Sequence, residues 1–162
     1  MAEFLSQRAQ GADPDLYAAT RAVMIPALIT AMADGELAEA EICAVLCEFQ
    51  VAMAVFELTA VAQDRDTLLA VGREILADLR IHGDQSVFAW SESRLPRKAH
   101  RFAAIHLALH VAAVDGTLQS GAMAVLSPMA KRLGIEGQAL DLMTDIAVKG
   151  LRPKGIPVPT FH

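Results

Sequence analysis

Apolar residues recur along this chain at helical rather than strand spacing. Leu16, Ala19, Val23, Ala27 and Met32 share one face of a segment that opens at Asp13-Pro14 and runs to about Ala33. An Asp followed by Pro marks a helix start, because the carboxylate caps orphan amides and the first helical position needs no donor. Ile25 and Ile29 make a second face apolar, which predicts a central helix. Pro26 lies inside it and is expected to kink or split it, since proline removes a donor and crowds the preceding turn. Asp34-Gly35 is the predicted stop. A second helix is expected from about Ala38 to Val51, with Ile42, Val45, Leu46, Phe49 and Met53 as its stripe, and a short helix around Val55–Val61 after it. Asp64 or Asp66 caps the next long helix, which carries Leu68, Val71, Ile75 and Leu79 and ends near Arg80.

The stretch 83–95 reads as mixed loop with one turn around Val87–Trp90. Leu95-Pro96 opens a further helix, with Phe102, Ile105, Leu109 and Ala112 on its face, that runs to Val114 and stops at Asp115-Gly116. Two more helices are predicted near Ser120–Leu133 and Glu136–Lys149, separated by Gly134. Residues 1–12 read as a loose arm, and the tail 150–162, with three prolines, as an extended segment. The expected fold is therefore all-α: one domain over 1–162, a compact bundle of about six to eight helices.

Composition sharpens this picture. Thirty of the 162 residues are Ala and only 5% are aromatic, which disfavours sheet. A charged fraction of 20% excludes a disordered chain, and a net charge of −5 argues against nucleic acid as the main partner. Two cysteines do not make a secreted disulfide scaffold. No signal peptide is evident at Met1–Leu5, and the uncharged stretches Ala22–Ala33 and Phe102–Val114 are shorter than the roughly 18 residues a bilayer span needs. The expected location is cytoplasmic.

The two Asp-Gly stops sit in matching contexts. Ala27-Leu28-Ile29-Thr30-Ala31-Met32-Ala33-Asp34-Gly35-Glu36-Leu37 aligns with Ala108-Leu109-His110-Val111-Ala112-Ala113-Val114-Asp115-Gly116-Thr117-Leu118 at an offset of 81, half the chain. Ala27, Leu28, Ala31, Asp34, Gly35 and Leu37 recur identically. Each half then reads as an apolar helix, a turn and an amphipathic helix, and two such hairpins can bury a shared core with pseudo-two-fold symmetry.

An Ala-rich helix ending in Ala-x-x-Asp-Gly-x-Leu before an amphipathic helix resembles the TerB-like (tellurite-resistance) family. The likeness is carried by Ala31–Glu41, by Ala112–Leu118 and by Lys131-Arg132-Leu133-Gly134-Ile135, and covers roughly Tyr17 to Lys149. It implies a helical domain with an acidic, metal-binding surface around the Asp-Gly turns. It also implies a role in tellurite and other stress responses, partly at the inner membrane with partner proteins. One departure stands out. The acid seven residues after the turn Asp is present in the first half, as Glu41 after Asp34, but the second half has Ala122 there, and Pro128 falls inside its second helix.

Four groups of residues carry candidate chemistry. Asp34, Glu36, Glu39 and Glu41 crowd one turn and helix start, with Asp115 able to join from the other half; such carboxylates suit a hard divalent cation. The plainer alternative is that they terminate one helix and complement the dipole of the next. His106 and His110, four apart, share a helix face and can ligate a transition metal or pack as a local polar pair. Cys43 and Cys47 have the same spacing and are either soft-metal ligands or inert core thiols. Arg94, Arg97, Lys98, His100 and Arg101 form a basic stretch, either an anion or headgroup attractor or a solvated helix start.

No phosphate loop, nucleophile elbow, Cys-x-x-Cys or Glu-x-x-His occurs. The expected function is non-enzymatic: a TerB-like protein of the metal-stress response that binds a divalent metal at Asp34, Glu36, Glu39, Glu41 and Asp115 and docks to a protein partner, including at a membrane. The alternatives are a helical module that forms homodimers without metal and a metalloenzyme built on His106 and His110.

Overall fold

The computed structural model describes residues 14–35, 37, 39–55, 65–95, 97–114, 117–118 and 120–149. Seven α-helices form an all-α bundle among them: α1 (Pro14–Ala31), α2 (Glu39–Val55), α3 (Arg65–His82), α4 (Asp84–Ser93), α5 (Lys98–Ala112), α6 (Ser120–Arg132) and α7 (Gln138–Lys149). A single 3-10 turn, Met32–Asp34, follows α1, and a two-stranded antiparallel ladder, β1 (Ala113–Val114) with β2 (Thr117–Leu118), follows α5. No helix among the described residues is long and apolar enough to cross a membrane.

The centre is α1. Every residue from Ala22 to Thr30 is buried, so the two apolar faces predicted by Val23, Ala27, Ile25 and Ile29 close into one all-round buried cylinder. Its most extensive packing is against α5, whose Ala103, Ala104, Ile105, Leu107, Ala108 and Leu109 are likewise buried. Small Ala side chains on both helices let the backbones approach closely. Ile42, Val45, Leu46, Phe49 and Met53 on α2, and Leu68, Val71, Ile75 and Leu79 on α3, are all buried, as their periodicity predicts.

The two halves pack reciprocally. Helix α1 of the first hairpin contacts α6 of the second, and α5 of the second contacts α2 of the first. Boundaries keep the offset of the repeat: α1 ends at Ala31 and α5 at Ala112, while α2 begins at Glu39 and α6 at Ser120. This exchange of partners is the arrangement a pseudo-two-fold axis produces.

Several sequence expectations are corrected. Pro26 does not split α1, which is one continuous helix across it. A proline at 26 withholds the amide that the Ala22 carbonyl needs; Ser91 on α4, fully buried, donates its hydroxyl to that carbonyl at 2.7 Å. Thr30 in turn donates to the Pro26 carbonyl at 2.8 Å, a bond back along the same helix. The stretch 83–95, read as loop, contains the ten-residue helix α4, launched by Gly83 at φ 82°. Its short apolar run, Val87-Phe88, is too brief to reveal periodicity but buries both side chains. The helix read as reaching Val114 ends at Ala112, because Ala113 and Val114 pair with Leu118 and Thr117. The arm 1–12, the short helix expected at 55–61 beyond Val55, and the tail 150–162 lie outside the described residues.

The Ser91 repair yields an expected outcome. Ser91→Ala strands a buried carbonyl and should lower stability by about 1–3 kcal/mol. In a Pro26→Ala background the backbone amide returns and the same substitution should cost markedly less. Urea unfolding of the four proteins gives the coupling; equal losses in both backgrounds would show that Ser91 acts otherwise.

Candidate functional site

The acidic turn is built as follows. The 3-10 turn Met32–Asp34 closes α1, and the Gly35 amide donates to the Met32 carbonyl at 3.0 Å. Gly35 has φ 130°, a conformation that side chains rarely adopt, so glycine is required there. Glu39 and Glu41 fall in the first turn of α2, and Glu41 is exposed. Acids at that end meet the positive pole of the helix. Glu36 and Asp115, and the side chains of Asp34 and Glu39, lie outside the described part. The 3-10 turn packs against α6, and β1, just before the second Asp-Gly pair in sequence, packs against α7. Among the described residues no group of three or more His, Cys, Asp or Glu could hold a metal ion.

His106 and His110 do come together. Their ring centroids are 4.3 Å apart and tilted by 51°. Glu48 on α2 completes the group, its carboxylate 4.0 Å from His110 Nδ1, with the His110 side chain 6% exposed. Sequence reasoning paired the two histidines and missed Glu48, which reaches them only because α2 packs on α5.

The cysteines separate by environment. Cys47 is buried on the core side of α2, whereas Cys43 is half-buried with the Arg65 guanidinium 3.9 Å from its sulfur. Neither is in a disulfide.

The basic stretch divides into different roles. Arg94 lies over the Trp90 ring at 5.6 Å. Arg101 is inward-turned, donating to the carbonyls of Leu95 and Leu133, the latter at 3.3 Å. His100 is partly buried, and its Nδ1 is shielded from solvent with no hydrogen-bond partner among the described residues. Burial, and secondarily the Arg97 charge, hold its pKa below the ordinary 6.5. Arg97 and Lys98 point outward.

The most highly connected polar group was not singled out from the sequence. Arg21 on α1 pairs with Glu74 at 3.0 Å and with Asp78, both on α3, and its guanidinium lies 5.3 Å from the Trp90 centroid. Arg21 and Glu74 side chains are 12% and 8% exposed. A signal existed: Arg21 is the lone charge in the apolar run of α1, and Glu74 and Asp78 are four apart on α3. The group joins three helices and is a structural anchor.

Two outcomes are expected. Arg21→Met leaves Glu74 buried without its cation and should destabilise by roughly 3 kcal/mol, with partial recovery when Glu74→Gln is added, measured by thermal unfolding. His100 binds its proton more weakly folded than unfolded. It therefore contributes stability that is present above pH 6.5 and lost as pH falls through the lower folded value. His100→Gln should flatten that part of the stability–pH curve; an unchanged slope would remove His100 as its source.

No protein family, no curated protein and no solved structure matches this chain. Its functional reading therefore rests on its own residues and their arrangement.

Proposed function

We propose that this protein is a non-enzymatic binding protein of the TerB-like kind, acting in a tellurite or metal-stress response. In this reading it takes a divalent cation at its acidic turn and docks to a protein partner, including one at a membrane surface. The observation that carries the reading is the reciprocal packing of the two hairpins, α1–α2 and α5–α6, with helix ends in register at the Asp-Gly repeat. Such a core spends its apolar surface internally and leaves function to turns and outer faces. Asp34, Glu36, Glu39 and Glu41 supply hard oxygen donors at one turn, and Asp115 supplies another from the second.

A second reading, a metal-independent module that self-associates, is favoured by α7. Leu142 is 62% exposed on it, and only Ala147 of its residues is fully buried. Metal-independent dimerisation in sedimentation would support that reading.

Calorimetric titration of the metal-stripped protein with Ca²⁺, Mg²⁺, Mn²⁺ and Zn²⁺ tests the first reading. Saturable binding of at least one ion is expected, weakened at least about tenfold by Asp34→Asn, a loss of about 1.4 kcal/mol. Flat titrations with all four ions, or binding that survives the substitution, would overturn it.

A further inference from the structure

Eleven Lys and Arg residues are described, and eight of them are engaged by a hydrogen bond, ion pair, ring contact or other electrostatic contact. The remaining three, Arg97, Lys98 and Lys131, have no ion pair or side-chain acceptor among the described residues, and all three are exposed. Lys131 is far in sequence from the adjacent pair Arg97 and Lys98, yet the fold joins the helix ends that carry them. Arg101 clasps Leu95 and Leu133 through their carbonyls, tying the start of α5 to the end of α6. Arg97 and Lys98 lie within a turn of one end of that clasp and Lys131 within a turn of the other. Glu92, on α4, is already bound to Arg132 at 2.9 Å.

The α5 start heightens the imbalance. Arg97 is its N-cap and makes no side-chain cap bond, and the first turn holds no acid. Cations there face the positive pole of the helix, an unfavourable placement that an external anion would relieve.

We infer that this basic surface is a docking site for an acidic segment of a partner protein. It deepens the partner-docking half of the proposed function and is independent of the metal. Three observations select the partner. The chain carries a net charge of −5, so beyond the patch an extended polyanion such as a duplex or an anionic bilayer meets repulsion. Among the described residues the exposed large hydrophobics are Ile81 on α3 and Leu142 on α7, neither on the two helix ends that carry these cations, and a bilayer-docking surface needs apolar side chains beside its cations. Trp90 is engaged by Arg21 and Arg94, Phe88 is buried under Arg132, and Phe102 is half-buried, so these rings are not an open stacking platform for bases. A short carboxylate-rich peptide touches the three cations alone.

Fluorescence anisotropy with a labelled oligoglutamate peptide tests this, in low salt and at physiological ionic strength. Saturable, salt-weakened binding is expected, reduced severalfold by Arg97→Glu or Lys131→Glu and at least about tenfold by the pair. Lys149→Glu, the same charge change on α7, should leave it within about twofold, which separates a site from net charge. Arg97→Glu should also raise Tm, because it places a carboxylate at the helix start, so lost binding cannot be lost folding. Absence of binding, equal weakening by Lys149→Glu, or tighter binding to phosphatidylserine vesicles or to oligonucleotide than to the peptide would overturn the proposal. Because the peptide assay needs no metal, its failure and that of the metal titration are distinguishable.

Discussion

A buried helix containing a proline needs a donor from elsewhere, and the rest of the fold is arranged around that requirement. Helix α1 is enclosed on all sides from Ala22 to Thr30, so the carbonyl that Pro26 leaves unbonded cannot turn to water. Ser91 supplies the bond. To do so, α4 must lie against α1 at a fixed position along it, and Trp90, the residue before Ser91, then meets Arg21, the residue before the repaired Ala22 carbonyl. Arg21 in turn holds Glu74 and Asp78 of α3. One absent amide thus accompanies a polar seam linking α1, α3 and α4. Buried polar groups of this kind restrict packing more sharply than apolar contacts, because hydrogen bonds tolerate little displacement.

The other side of α1 is governed by the repeat. Its most extensive packing is against α5, and the second helix of each hairpin packs on the first helix of the opposite half. The halves differ where their turns differ. The first turn closes as a 3-10 segment ending at Gly35, while the second opens into a short antiparallel ladder. The matched segments that follow α1 and α5 therefore leave their helices in two ways. Ala113 and Val114 can pair in extended conformation with Leu118 and Thr117, whereas the corresponding Met32 and Ala33 continue the helical path. The absence of an acid at Ala122, matched against Glu41, follows from the same divergence: Ala122 is buried, while Glu41 is exposed.

The polar chemistry outside the seam lies at helix ends and at one helix interface. Glu48, His106 and His110 form a small polar island where α2 meets α5. The Arg101 clasp does mechanical work, and its consequence is electrostatic, since the ends it joins bring their unpaired cations with them.

Periodicity alone determined that this chain is helical, which faces of α2 and α3 are buried, and that α1 is central, because burial repeats at 3.6 residues wherever a helix has one wet side. It also placed the acidic turn and the histidine pair, both local in sequence. It did not reveal α4, whose apolar run is too short to show a period, nor the survival of α1 across Pro26, which depends on a hydroxyl 69 positions away in the chain for its Ala22 carbonyl. The Arg21 anchor, the approach of Glu48 to His110 and the joining by Arg101 of the α5 start to the α6 end were likewise decided only by tertiary structure. Each joins residues on separate helices, and side-chain periodicity tells which face of a helix is buried but not which helix will cover it.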